Sequence, residues 1–147
     1  MLCVWWDQKG IVYYELLEPG QTVHSESYRQ QIINLNHSLI ENRPKWKNRH
    51  EKVILQHDNA RPHKSKDVKN TLNALEWEEL PHPPYSPDLA PTDYHFFSSM
   101  SLKLADQHFN EAEEVKKWVD EWFASKNEQF YQVGIHKLPE RWGKCVA

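Results

Sequence analysis

Val53-Ile54-Leu55-Gln56-His57-Asp58-Asn59-Ala60-Arg61-Pro62-His63 decides how this chain is read. Its first three residues are apolar and two are β-branched, the signature of a short buried strand. Asn59 to Pro62 cannot continue that strand comfortably, since proline has no N–H to give to a ladder. Asp58 therefore stands at a strand end, where an α/β sheet opens onto a crevice. Downstream, Leu80-Pro81-His82-Pro83-Pro84-Tyr85-Ser86-Pro87-Asp88-Leu89-Ala90-Pro91 forms a proline-stiffened loop that delivers Thr92-Asp93-Tyr94-His95 to a helix start, with Thr92 as its expected N-cap. Between Asp58 and Asp93 lie 34 residues.

Working outward toward the N-terminus, Leu2 to Trp6 and Ile11 to Leu17 are strand-like runs around the turn formers of Asp7-Gln8-Lys9-Gly10, which predicts a hairpin. From Ser25 to about Asn42, Tyr28, Ile32, Leu35 and Leu39 recur at helical spacing, and Pro44 ends the helix. The basic run Arg43, Lys45, Lys47, Arg49, His50 and Lys52 reads as a solvated connector in preference to a DNA-backbone contact. Toward the C-terminus, Lys64 to Leu75 predicts a helix with Val68, Leu72 and Leu75 inward, and Glu76 to Leu80 a strand. Another helix starts near Thr92. Asn110-Glu111-Ala112-Glu113 resembles a capping box and opens a helix that buries Val115, Trp118, Val119, Trp122 and Phe123. The last element, Pro139 to Cys145, has proline in its first turn and Trp142 as its anchor.

With 147 residues, 39% of them hydrophobic, the chain suits one domain with a core of its own. A net charge of −3 is not the footprint of a freestanding nucleic-acid binder, so DNA contacts would come from local clusters. The two cysteines, Cys3 and Cys145, are too few for a disulfide framework and read as reduced. The apolar opening Met1 to Trp6 is too short for a signal peptide or a membrane span, so the expectation is an intracellular, soluble protein with no membrane partner. Histidines 57, 63, 82 and 95 lack the close spacing of a zinc site and are expected to pack or hydrogen-bond around Asp58 and Asp93. Asp88 reads as a turn residue and not as a ligand.

The words HDNARPH and PHPPYSPDLAPTDYHFF, at that separation, closely resemble the mariner-type transposases of the Tc/mariner superfamily. MLCVWWDQKGIVYYELLEPG at the front and GIHKLPERWGKCV at the back extend the resemblance over essentially the whole chain. It implies an RNase H-like α/β fold, a mixed sheet flanked by helices, in which three aspartates bind two Mg2+ or Mn2+ ions that cut DNA and join the cut end to a target. Asp58 and Asp93 match two of the three as catalytic and metal-binding residues. The first and central strand of that sheet, with the first aspartate, has no counterpart here, and Asp7 matches the following hairpin turn instead. The upstream helix-turn-helix region has no counterpart either, so residues 1–147 read as a truncated catalytic domain.

From the same resemblance follow a nuclear location, transposon ends and target DNA as partners, and the option of a homodimer. Because two of three aspartates leave the metals under-coordinated, two readings stand at this stage. One is a transposase catalytic domain that cleaves and joins DNA when complete; the other is an inactive transposon-derived remnant with at most a DNA- or protein-binding role. The absent strand also predicts either a split sheet, with the hairpin detached or held only by the helix from Ser25, or a hairpin moved over to pair with the Asp58 strand.

Overall fold

The computed structural model describes residues 2–18, 20–43, 53–58, 60–83 and 86–146. Strands β1 (Leu2–Asp7) and β2 (Gly10–Leu16) form the expected antiparallel hairpin. Its turn is closed by Asp7, whose Oδ1 accepts the N–H groups of Lys9 at 2.9 Å and Gly10 at 3.2 Å. Gly10 takes a φ of 132°, open to glycine and strained for other residues. The guanidinium of Arg43 grips the same carboxylate with two parallel bonds of 3.0 Å, Nε to Oδ2 and Nη2 to Oδ1. Arg43 is thus a clamp on the hairpin turn. The other members of the basic run, Lys45 to Lys52, lie outside the described residues, as do the side chain of Cys145 and the helix-ending Pro44.

Alternation along β1 sends its side chains to opposite faces. Leu2, Val4 and Trp6 pack with Phe96, Met100, Trp122 and Tyr131, whereas Trp5 packs with Tyr28, Ile32, Leu35 and Leu39. Trp5 pairs with Tyr13 and Trp6 with Ile11, which leaves Val12 as the extra residue of a bulge. The bulge lets Val12 and Tyr13 both reach the Tyr28 side.

Helix α1 (Ser25–Asn42) covers that first face, with the bounds its apolar spacing predicts. Tyr28, Ile32, Leu35 and Leu39 are all buried, each contributing on the order of 1.5–3 kcal/mol of apolar burial. His24 caps the helix: its ring accepts from the Ser27 N–H while the Ser27 hydroxyl serves the His24 N–H.

Beyond α1, the chain makes a short strand β3 (Ile54–Leu55), a 3-10 turn (Arg61–Lys64), α2 (Lys66–Ala74) and β4 (Glu78–Glu79), which runs parallel to β3. Val68 and Leu72 are buried against the α1 core, as their spacing predicts. The ladder is shorter than the predicted strands, because β3 has β4 on one edge and no second partner among the described residues.

The two sheets, β1–β2 and β3–β4, are not hydrogen-bonded to each other. Of the two alternatives, the split sheet is the one found. The hairpin is not held by α1 alone, however. A loop with a 3-10 turn (Pro87–Leu89) leads into a π-helical turn (Thr92–Phe97) that continues as α3 (Ser98–Leu104), followed by α4 (Ala112–Ala124), α5 (Glu128–His136) and α6 (Leu138–Val146). Phe96, Trp122 and Tyr131 from these elements cover the hairpin's second face, so it lies between two helical layers.

Helix α5 is absent from the sequence reading altogether. The capping box at Asn110 does not form either: the N-cap is Glu111 with no side-chain bond, and Glu114 reaches back to the Asn110 N–H at 2.9 Å.

Candidate active site

Asp58 lies three residues beyond the end of β3, and its geometry is set by its own turn. Oδ1 accepts the Ala60 N–H at 3.0 Å and lies 2.8 Å from His63 Nδ1, which is also 3.2 Å from the Asp58 carbonyl oxygen. Pro62, in the first turn of the 3-10 segment, fixes the backbone that carries His63 back toward the carboxylate.

The His63 ring lies parallel to His57 at 4.9 Å and packs on Tyr28 at 4.0 Å. Tyr28 Oη is 2.7 Å from His57 Nδ1, and His57 Nε2 bonds Glu79 on β4. The ring roles follow from the partners. The Tyr28 hydroxyl, whose pKa is pushed up chiefly by burial and further by the charges of Asp58 and Glu79, stays protonated and donates to Nδ1. His57 Nε2–H then donates to the Glu79 carboxylate. Burial pushes the His63 imidazole down, the neighbouring His57 adds to this and Asp58 opposes it, so His63 is neutral near pH 7 and donates Nδ1–H to Asp58.

Asp93 sits in the first turn of the π-helical segment. Thr92 is not its N-cap: the helical conformation already holds at Pro91, and the N–H groups of Asp93 and Tyr94 reach the Ala90 carbonyl at 2.9 and 3.0 Å. The Thr92 hydroxyl instead accepts the Trp6 indole N–H at 3.0 Å, which ties β1 to the residue before Asp93.

The elements carrying the two acids are fastened to each other by Gln56, whose side-chain amide donates to the Leu89 carbonyl at 2.6 Å. Both carboxylates belong to exposed residues. The Asp93 carboxyl is pushed up from its ordinary value first by partial loss of water around it and then by the negative charge of Asp58, with His82 opposing. Among the described residues no three His, Cys, Asp or Glu side chains converge as a ready metal cage, and Asp93 accepts no hydrogen bond.

The donor set is two hard, exposed carboxylates that repel each other, which suits Mg2+ or Mn2+ and does not suit zinc. Histidines 57 and 63 pack and hydrogen-bond around Asp58 as expected. His95 does not: its Nε2 donates to the Phe130 carbonyl at 2.6 Å on α5. Asp88 is a turn residue whose carbonyl accepts from Arg141 at 3.3 Å.

A family model described as "Transposase (partial DDE domain)" matches residues 1–54. Mariner Mos1 transposase of Drosophila mauritiana is 59% identical over 147 residues, covering 100% of this chain and 43% of the relative. A solved structure of the Mos1 transposase catalytic domain with raltegravir and Mg superposes with a TM-score of 0.96 at 59% identity, over 99% of this chain and 72% of that one. The chain belongs to the mariner transposase family. A Mos1 paired-end complex with Mn matches with a TM-score of 0.95 at 59% identity, over 99% of this chain and 42% of that one.

The fold is accordingly that of the mariner catalytic domain, RNase H-like with a mixed arrangement of small sheets between helices. The chain spans less than half the length of the curated relative. For four side chains around the acids, namely Trp6, Tyr28, Gln56 and Glu79, the bonds they make there carried no sequence signal. Their partners are 86, 29, 33 and 22 positions away, and no local periodicity links such pairs.

Proposed function

We propose that Asp58 and Asp93 are two carboxylate ligands of a divalent-metal site for phosphoryl transfer on DNA, within a mariner transposase catalytic domain of which residues 1–147 form part. The observation that carries this reading is the pairing itself: two exposed acids on elements latched by Gln56 and Leu89, with the charge of one raising the pKa of the other. Acids that repel each other in this way are stabilised by a shared cation.

A bound pair of Mg2+ or Mn2+ ions supplies Lewis-acid activation of the attacking oxygen and charge stabilisation of the leaving oxygen. The chain's own residues prepare that site. Ala60 N–H and His63 Nδ1–H hold Asp58 Oδ1, fixing the carboxylate plane and leaving Oδ2 for a ligand. Tyr28, His57 and Glu79 form a relay of hydrogen bonds that keeps His63 stacked in place. Asp93 offers a carboxylate free of hydrogen bonds among the described residues. The partners under this reading are transposon ends and target DNA, brought together by two copies of the protein in the nucleus. The inactive-remnant reading is not favoured, since the 59% identity runs through the whole chain.

Iron-mediated cleavage tests the site assignment. Fe2+ with ascorbate, substituting for Mg2+, is expected to cut the chain near residues 58 and 93, with the cuts suppressed by excess Mg2+ and lost in Asp58→Ala and Asp93→Ala. Cleavage elsewhere that ignores both substitutions overturns the assignment.

A further inference from the structure

Asp93 is flanked by side chains that are all fastened elsewhere. Thr92 takes the Trp6 indole N–H at 3.0 Å. The Tyr94 hydroxyl donates to the Gly134 carbonyl, and the Arg141 guanidinium lies 4.1 Å over the Tyr94 ring. His95 Nε2 donates to the Phe130 carbonyl at 2.6 Å, with its ring 4.4 Å from that of Phe130. Phe130 and Gly134 are one turn apart on α5, so the two tethers grip a single stripe of that helix.

Gly134 is what admits the His95 ring. A Cβ at that position would lie 2.7 Å from His95 Cγ and 3.1 Å from His95 Cβ, closer than a ring so held can accommodate. Residues 92–97 are wound as a π-helix, a form that is rare and concentrated at functional sites. Such winding needs support from outside the segment. Rewound as an α-helix, the turn would carry Asp93 to a different angle about the axis relative to Phe96, which is fully buried and cannot follow.

We propose that α5 is the template for Asp93: the Tyr94–Gly134 and His95–Phe130 tethers hold the π-helical turn and so fix where the Asp93 carboxylate meets a divalent cation. This rests on the reading of Asp58 and Asp93 as metal ligands. Gly134, Tyr94 and His95 are then positioning residues, acting through the backbone of the turn without touching the metal or the DNA.

The test is a titration of Mn2+ alone into the isotopically labelled chain, following paramagnetic broadening of the Asp58 and Asp93 amide signals. In the unsubstituted protein both signals are expected to broaden together with one midpoint. His95→Ala and Gly134→Ala should raise that midpoint at least fivefold, and Tyr94→Phe at least twofold. His95→Gln, whose amide can still donate to the Phe130 carbonyl, should recover part of the loss. Met100→Ala empties space in the same buried cluster further along the helix and should lower the melting temperature with the midpoint unchanged, which separates positioning from general stability. Because Tyr94→Phe adds no bulk, it decides the matter where Gly134→Ala fails to fold. Normal midpoints in Tyr94→Phe and His95→Ala, alongside lost binding in Asp93→Asn, overturn the template and leave the metal site standing. Unchanged binding in Asp93→Asn overturns the metal site and the template with it.

Discussion

Gln56 reaches across 33 positions of sequence to donate its side-chain amide to the carbonyl of Leu89 at 2.6 Å. Gln56 lies two residues before Asp58 and Leu89 four before Asp93, so this bond latches together the segments that carry the two acids. Leu89 is fully buried, and its carbonyl left without a donor would cost about 1–3 kcal/mol. Gln56→Leu is therefore expected to lower stability by that amount in chemical denaturation and to weaken Mn2+ binding several-fold. Weaker metal binding with stability unchanged would show that the latch does not hold the fold.

Arg43 and Asp7 form a two-pronged ion pair in which the arginine side chain is 14% exposed. Arg43→Ala should destabilise the hairpin by about 1 kcal/mol, and Arg43→Lys should recover less than half, since lysine cannot form the fork. A residue spent on Asp7 does not neutralise a phosphate, so the salt dependence of DNA binding should not change in either variant. A salt slope shallower by about 1 in Arg43→Ala and restored in Arg43→Lys would place Arg43 on a phosphate instead.

The depressed imidazole of His63 sets an acid-side dependence. A histidine with a lower pKa folded than unfolded binds its proton more tightly in the unfolded chain. Stability is then flat above the unfolded pKa of ~6.5 and falls as pH drops through the window between the unfolded and folded values, by at most ~1.4 kcal/mol per pH unit. Melting temperatures across that window should fall in the unsubstituted protein and fall less in His63→Gln. Parallel curves for the two would remove His63 as the titrating group.

Much of this was legible in the sequence where local periodicity and local contacts coincide. The hairpin followed from Asp7 to Gly10 between two apolar runs, and α1 from Tyr28, Ile32, Leu35 and Leu39, because each of those patterns is satisfied by neighbours in sequence. Asp58 and Asp93 stand out as candidates only through the words around them, since a lone acid at a strand end or a helix start has commonplace explanations. What escaped was tertiary. Helix α5 is nine residues long and carries Gly134, which lowers helix propensity and is there to admit His95. Its Asn127 cap, which accepts the Phe130 N–H at 3.1 Å, was the one signal that could have revealed it. The Tyr28, His57 and Glu79 relay joins three separate elements, and Trp6 displaced the expected cap at Thr92; neither leaves a mark in local spacing.

The most direct test of the account is the anomalous scattering of Mn2+ in crystals of this chain. A manganese peak is expected within about 2.5 Å of a carboxylate oxygen of both Asp58 and Asp93, lost in Asp93→Asn. Well-occupied manganese bound elsewhere, with neither Asp58 nor Asp93 touching it, would contradict it.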